Sequence, residues 1–157
     1  MTDKQINIAY QEFSSIDELN AEDRELAQAA IEGMQGSYAP YSHFNVGAAV
    51  RMSNGQIVRG ANQENAAFPS GLCAERTAMF AAGAKYPEKD MCSIALVGGV
   101  YGRITEEPAT PCGACRQVMA QYQAKSGKPM SVLMIGAKRI WKFEKVDDIL
   151  PLIFDSI

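Results

Sequence analysis

Two cysteines three residues apart stand in the stretch "TPCGACRQV", at positions 112 and 115. In the first turn of a helix, residues i and i+3 share a face, so both thiols could reach one metal ion. A CxxC pair alone is also compatible with a redox dithiol or with two unrelated buried thiols. Cys73 changes that balance, because it stands in "SGLCAER" at the start of another predicted helix. The sequence therefore predicts a metal site made by Cys73, Cys112 and Cys115.

The position of these cysteines at two helix starts favours zinc binding. A thiol must lose its proton to bind zinc, and the partial positive charge at a helix N-terminus lowers a thiol pKa. Three thiolates leave a fourth tetrahedral position, which structural sites fill with Cys or His. Two further candidates exist: Cys92, which we expect to be a plain buried thiol in an apolar strand, and His43, the only histidine, which we expect to be a structural loop residue. We therefore expect water in the fourth position.

Glu75 follows Cys73 by two residues, in the pattern CxE. A carboxyl group there could take a proton from a metal-bound water and hand it on, which is general acid/base chemistry. Residues two apart do not share a helix face by periodicity alone, so the spacing leaves this geometry open. A solvated glutamate that complements the helix dipole is the alternative.

The elements that must position these residues alternate between helix and strand. Capping residues, apolar periodicity and turn residues predict the following order. It is a helix over 20–35, a hairpin of strands 45–52 and 57–62 turning at Asn54–Gly55, a helix over 72–86, a strand over 91–100, a helix over 111–125 with Pro111 in its first turn, strands over 129–136 and 139–145, and a short turn over 146–150. This alternation predicts an α/β fold whose sheet contains parallel strands and carries helices on its faces.

Composition and charge limit the class of protein. The chain has 157 residues, of which 47% are hydrophobic and 21% charged, and this predicts a single globular domain over residues 1–157. No apolar run is long enough to cross a bilayer and the N-terminus does not resemble a signal peptide, so we expect a cytoplasmic protein without a membrane partner. The net charge of −3 argues against nucleic acid as a partner.

Four segments together resemble the zinc-dependent cytidine deaminases, specifically their small homotetrameric form. They are "YSHFNVGAAV", "GANQENAAFPSGLCAERTA", "TPCGACRQVM" and "ILPLIF", and the similarity runs from about residue 24 to residue 154. Cys73, Glu75 and the stretch Pro111 to Cys115 correspond to the wider deaminase signature. The resemblance implies a three-layer α/β/α sandwich with a mixed five-stranded sheet and one zinc ion per subunit. It also implies a homotetramer with sites shared between subunits.

The activity that the resemblance implies is hydrolytic deamination of cytidine and deoxycytidine to uridine and deoxyuridine, with release of ammonia. In that scheme zinc-bound hydroxide attacks C4 of the ring, and Glu75 carries protons to N3 and then to the departing amine. Deamination of another aminopyrimidine, as in blasticidin deaminases, or of a base in RNA would use the same fold. A zinc-stabilised interaction module without catalysis is the alternative of a different class.

Six further residues receive roles from the resemblance. Asn62 and Glu64 resemble the pair that binds the ribose hydroxyls, and a carboxylate there would repel a phosphate, so the substrate should be a nucleoside. Phe44 resembles the aromatic residue that packs on the pyrimidine. The main chain of Ala74 is similar to the group that bonds the carbonyl at C2, and Phe154 to an aromatic residue from a neighbouring subunit.

Arg76 completes this set, because its guanidinium would withdraw charge from the zinc-bound thiolates. Three features depart from the family. Phe68 stands where many relatives have tyrosine, Asn45 stands where proline is frequent, and the segment 101–109, "YGRITEEPA", has no assigned role.

Overall fold

A computed structural model describes residues 1–155, and these residues form seven strands and three α-helices. The strands are β1 (Gln11–Phe13), β2 (Phe44–Met52), β3 (Ile57–Ala61), β4 (Met91–Val100), β5 (Arg103–Ile104), β6 (Ser131–Ile135) and β7 (Ile140–Phe143). The helices are α1 (Ala21–Gly33), α2 (Ala74–Lys85) and α3 (Gly113–Ser126). None of the helices described is long and apolar enough to cross a membrane.

The sheet is mixed, as predicted, but it has seven strands where five were expected. Its order is β1-β7-β6-β4-β2-β3, with β5 paired to β4 beside this path. Strands β4 and β6 are parallel and all other pairs are antiparallel. The two additional strands, β1 and β5, have three and two residues. Strands this short show no alternation in the sequence and are defined only by the neighbours with which they pair.

Helices cover both faces of the sheet, which confirms the three-layer α/β/α arrangement. In strand β2, Ala48 and Val50 belong to the core shared with α2 and α3, whereas Ala49 belongs to the core shared with α1. This alternation follows from the two-residue period of a strand, which sends successive side chains to opposite faces. The two helices that carry the cysteines therefore lie together on one face.

Glycine at position 60 allows helix α2 to lie directly against strand β3. A Cβ atom at Gly60 would lie 2.4 Å from the amide nitrogen of Ala78 and 2.7 Å from the carbonyl oxygen of Ala74. Since neither backbone group can move aside, only glycine fits here. This close packing fixes the start of α2, where the first predicted ligand is located.

Helix α3 begins two residues later than predicted. Its N-cap is Cys112, whose extended backbone precedes the first helical residue, Gly113, so Pro111 lies outside the helix and not in its first turn. The carbonyl oxygen of Pro111 accepts a hydrogen bond of 2.9 Å from Nε of Arg116. A side chain of the helix thus holds the chain that leads into it.

The unassigned segment 101–109 is a tight hairpin followed by a loop. Tyr101 and Gly102 both have positive φ, 51° and 76°, as a type I′ turn requires. The loop forms no further strand. The carbonyl oxygens of Thr105 and Glu106 accept hydrogen bonds of 2.8 and 3.0 Å from the backbone amides of residues 137 and 138. The segment therefore joins the end of β4 to the β6–β7 turn.

Candidate active site

Three cysteines from two helix starts come together in the structure. Cys73 is the N-cap of α2, Cys112 is the N-cap of α3, and Cys115 lies in the first turn of α3. Their sulfur atoms all lie within 4.8 Å of one another, and those of Cys73 and Cys112 are 3.9 Å apart. Thiolates bound tetrahedrally to zinc at about 2.3 Å would be separated by about 3.8 Å. The donor set and its spacing therefore fit zinc.

The thiols of Cys73 and Cys115 differ in acidity. A hydrogen bond from Cys115, assisted by Arg76, lowers the pKa of Cys73 to about 5 even though burial opposes the change. The same bond raises the pKa of Cys115, because its proton is held toward the Cys73 sulfur. Nη2 of Arg76 lies 3.4 Å from Sγ of Cys73, and this contact raises the arginine pKa. The guanidinium therefore stands where it offsets negative charge on the sulfur.

Glu75 is buried beside the cysteines, with only 4% of its surface exposed. The alternative of a solvated glutamate is therefore wrong. Burial raises the pKa of its carboxyl group, and the negative charge of Cys73 acts in the same direction. A carboxyl group in this setting holds a proton more readily than an ordinary glutamate, which suits a group that must both accept and deliver one.

The two other candidate ligands lie outside the cluster. His43 has a φ of 56°, and its ring stacks on Tyr101 with centroids 4.8 Å apart, as expected for a structural loop residue. Cys92 is exposed, which corrects the expectation of a buried thiol. It is the second residue of β4 and the extra residue of a β-bulge, because Arg51 pairs with Ser93 and Met52 with Met91.

A cavity of about 570 Å³ places the predicted sugar pair beside the metal cluster. Its wall includes Asn62 and Glu64 together with Cys73 and Arg76. The connection is made by backbone: the amide of Gln63 donates to the carbonyl oxygen of Leu72, and the amide of Leu72 donates to the carbonyl oxygen of Gln63, each bond measuring 2.9 Å. The loop after β3 is thereby fixed next to the first ligand. Volumes of this order accommodate small organic ligands.

Glu64 is held by the loop that precedes β2. Its Oε2 atom accepts hydrogen bonds from the backbone amides of Tyr41, at 2.8 Å, and Ser42, at 3.2 Å. Its Oε1 atom accepts one from the Ser42 hydroxyl. This last bond is the main cause that lowers the pKa of Glu64. The carboxylate is thus kept ionised, and Oε1 retains one lone pair for a ligand.

Both the oxygen and the nitrogen of the Asn62 side-chain amide form hydrogen bonds. Its Oδ1 accepts from the Val46 amide at 2.8 Å and from the Ser37 hydroxyl. Its Nδ2 donates to the carbonyl oxygen of Phe44 at 2.9 Å. The oxygen has no lone pair left, whereas the nitrogen retains one N–H. The hydrogen bonds to Val46 and Phe44 therefore join Asn62 to the start of strand β2.

The predicted base contacts lie next to this arrangement but do not line the cavity. Phe44 begins β2 and its ring rests against Gly98, where an added Cβ would lie 2.8 Å from Cζ of the ring. Ala74 is fully buried as the first residue of α2, so its amide is among the first-turn donors without an intrahelical partner.

Phe154 is not among the residues that line the cavity. Its side chain is 67% exposed, and its carbonyl oxygen accepts a hydrogen bond of 2.7 Å from Nε2 of Gln117 on α3. The backbone is thus anchored while the ring projects into solvent.

Sequence reasoning missed the residues that line or support the cavity without chemistry of their own. Tyr41 and Ser42 hold Glu64, and the ring of Phe68 meets that of Tyr41 edge-on at 5.6 Å. Phe68, noted only as a departure, is 72% exposed and lines the cavity. The motif "YSHF" contained a signal, since a serine two residues before a strand often caps a local turn.

Comparison with known proteins agrees with this site. Residues 20–128 match the family model described as "Cytidine and deoxycytidylate deaminase zinc-binding region". The match covers well over half of the chain and includes all three cysteines. The chain therefore belongs to this family.

Individual relatives are cytidine deaminases. The chain is 49% identical over 98 residues to the enzyme of Halalkalibacterium halodurans, a match that covers 61% of the chain and 68% of the relative. It is 44% identical over 86 residues to that of Sporosarcina psychrophila, covering 55% of the chain and 59% of the relative. The crystal structure of cytidine deaminase from Burkholderia pseudomallei is similar with a TM-score of 0.72 and 38% identity, covering 83% and 97% of the two chains. That from Mycobacterium tuberculosis has a TM-score of 0.68 and 29% identity, covering 87% and 100%.

Proposed function

We propose that this protein deaminates cytidine and deoxycytidine by hydrolysis, giving uridine or deoxyuridine and ammonia, as a cytoplasmic step of pyrimidine salvage. One juxtaposition carries the proposal: the buried Glu75 stands beside three clustered thiols, and the cavity at Cys73 is also lined by Asn62 and Glu64. We propose one catalytic domain over residues 1–157 for this activity.

Cys73, Cys112 and Cys115 would hold the zinc ion. When bound, zinc supplies a water molecule that is acidic enough to lose its proton near neutral pH. Arg76 reduces the negative charge on Cys73 through its 3.4 Å contact. Three thiolates carry more negative charge than a divalent cation neutralises, and loss of a proton from the water would add one more. The positive charge of Arg76 partly offsets this excess.

Glu75 is the proton carrier in this proposal. Its buried carboxylate accepts one proton from water and delivers it to N3 of the pyrimidine. It then takes the remaining proton from the hydroxyl now on C4 and passes it to the amine, which leaves as ammonia while C4 becomes a carbonyl. The raised pKa of Glu75 suits the second half of this task, since a strongly acidic carboxyl group would hold the proton too weakly. The overall change replaces an amino group by a carbonyl oxygen and releases ammonia.

The sugar pair defines the substrate class. Glu64 keeps a lone pair that can accept from a hydroxyl, and Asn62 keeps an N–H that can donate to one. An ionised carboxylate at this position repels a phosphate, so a nucleoside is favoured over a nucleotide. Phe44 would pack on the ring, and the Ala74 amide would bond the carbonyl at C2.

A panel of substrates tests the proposal. Ammonia release should be observed from cytidine and deoxycytidine, and not from adenosine, cytidine monophosphate or a cytosine-containing oligoribonucleotide. Activity on blasticidin alone would replace the proposal by a different aminopyrimidine specificity. Activity on none of these compounds by zinc-loaded protein would favour a non-catalytic zinc module.

We also propose a homotetramer in which each site receives Phe154 from a neighbouring subunit. In support, several large apolar side chains are exposed on the single chain: Tyr38, Tyr41, Phe68, Phe80, Leu152 and Phe154. Substituting Phe154 by alanine should raise the KM for cytidine and leave zinc content unchanged. An unchanged KM, or a monomer in analytical ultracentrifugation, would contradict a shared site.

A further inference from the structure

A chain of hydrogen bonds runs from the β4–β5 turn to the sugar-binding side chain Asn62. The amide of Gly102 donates to Oδ1 of Asn45 at 3.0 Å, and Nδ2 of Asn45 donates to Oγ of Ser37 at 3.1 Å. The Ser37 hydroxyl then donates to Oδ1 of Asn62. Ser37, Asn45 and Asn62 are all half-buried, so water competes only partly for the two bonds that join them, whereas the bond from Gly102 is exposed.

The direction of every bond in this chain is determined by chemistry. A backbone amide can only donate, so the Asn45 oxygen must face Gly102 and its nitrogen must face Ser37. Ser37 then uses an oxygen lone pair for Asn45, and its single hydrogen is directed to Asn62. The amide oxygen of Asn62 is thereby saturated, because Val46 fills its other acceptor position at 2.8 Å.

We propose that Asn45 and Ser37 are positioning residues for sugar recognition, which they control by fixing Asn62 as a hydrogen-bond donor to the substrate. With its oxygen saturated and one N–H spent on Phe44, Asn62 presents a single N–H to the ligand. A sugar hydroxyl can accept that bond and donate its own hydrogen to Oε1 of Glu64. The inference rests on the proposed function and gives a role to the turn at residue 102 and to the asparagine at a position where the family frequently has proline.

Two substitutions break the chain in different ways. Asn45→Ala removes both bonds of the asparagine side chain. Asn45→Asp has nearly the same shape and still accepts from Gly102, but its carboxylate also accepts from Ser37. The Ser37 hydrogen then turns away from Asn62, which loses one of its two donors. A role in packing alone predicts that Asn45→Asp is harmless.

The test compares two ligands that differ only in the sugar hydroxyls. For each variant, the KM for cytidine and the inhibition constant of 2′,3′-dideoxycytidine are measured, with kcat, zinc content and melting temperature. The loss of one hydrogen bond should raise the cytidine KM about three- to tenfold in both variants. The inhibition constant of the dideoxynucleoside and kcat should stay within about twofold. Asn54→Ala, in the distant β2–β3 turn, is the matched control and should change neither constant.

Ser37 supplies an independent check. Ser37→Ala should raise the cytidine KM by a similar factor, and adding Asn45→Ala to it should have no further effect, because both act through the same bond to Asn62. Additive effects, equal changes for both ligands, or an unchanged cytidine KM in Asn45→Asp would overturn the inference. If Asn45→Ala fails to fold, Asn45→Asp and Ser37→Ala carry the same test. Wild-type protein that releases no ammonia from cytidine would instead overturn the proposed function.

Discussion

The metal side of the site and the side that we propose to bind the sugar, called the sugar side, are held in place by different means. The metal side, made of Cys73, Cys112, Cys115 and Glu75, stands on the starts of two helices, and Cys115 and Glu75 are buried. The sugar side, Asn62 and Glu64, lies in a loop and is held by hydrogen bonds from the segment 37–46. Packing positions the first and a polar network positions the second.

This difference separates two kinds of damage. A packed site loses its function when one member is removed, because the neighbouring groups cannot move to replace it. A hydrogen-bonded loop can lose one bond and keep most of its geometry, since a typical bond contributes only about 0.5–1.5 kcal/mol. Substitutions on the metal side should therefore abolish activity, and those on the sugar side should change mainly the KM.

Cys115→Ser should produce the largest effect. The substitution removes a zinc ligand and leaves a hydroxyl in a fully buried position, so we expect loss of most of the bound zinc and of measurable turnover. An unfavourably buried hydroxyl lowers the free energy of unfolding by about 1–3 kcal/mol in addition. Zinc content by elemental analysis and thermal denaturation measure both effects.

Cys92→Ser is the matched control for this experiment. Cys92 is exposed and lies outside the cluster, so zinc content and activity should be unchanged. Equal zinc loss in both variants would contradict the three-cysteine site.

Gly98→Ala should have a smaller effect, confined to the base contact. The added Cβ would lie 2.8 Å from Cζ of Phe44 and 3.0 Å from Cβ of Ala109, so the aromatic ring must move. We expect a rise in cytidine KM of about three- to thirtyfold, with a loss of about 1–3 kcal/mol in stability and zinc retained. Steady-state kinetics and zinc content measure the two sides separately.

Gly36→Ala serves as the control for Gly98→Ala. A Cβ there would meet only Cβ of Ala61 at 3.6 Å, an ordinary contact. If both glycine variants have the wild-type KM, Phe44 does not contact the substrate in the way proposed.

Ser42→Ala should change the pH dependence of the cytidine KM. The Ser42 hydroxyl is the main cause of the lowered pKa of Glu64, so wild-type Glu64 stays ionised as the pH falls through the ordinary carboxyl range. Removing the hydroxyl raises that pKa, and the cytidine KM should begin to rise at a higher pH than in the wild type. The KM between about pH 4.5 and 8 is the measurement, with zinc content checked at each pH. Identical profiles would show that Glu64 does not need its charge for binding.

The same division explains what the sequence could predict. The ligands were predictable because Cys112 and Cys115 are local neighbours and because strong helix signals placed Cys73 at a second helix start. The burial of Glu75 was not predictable, since a residue in a first helical turn can face either solvent or core. Its position depends on the packing of α2 against β3 at Gly60.

The hydrogen bonds that hold the sugar side could not be predicted from the sequence for a related reason. Ser37 and Asn62 are 25 residues apart, and their bond forms only when β3 has paired with β2. Asn45 and Gly102 are 57 residues apart, and their bond forms only when β4 has paired with β2. The short strands β1 and β5 were missed because two or three residues carry no periodic signal. The prediction that Pro111 lies in helix α3 was wrong because the N-cap of this helix is Cys112.

The central claim is that Glu75 carries protons at a centre held by three cysteines, and Glu75→Gln tests it most directly. Glutamine has nearly the same shape but cannot accept and deliver a proton, so zinc should be retained at about one ion per chain while kcat for cytidine falls about 10²- to 10⁴-fold. Glu88→Gln, in the exposed turn after α2, should behave like the wild type. Cytidine turnover within tenfold of the wild type in zinc-loaded Glu75→Gln would contradict the account.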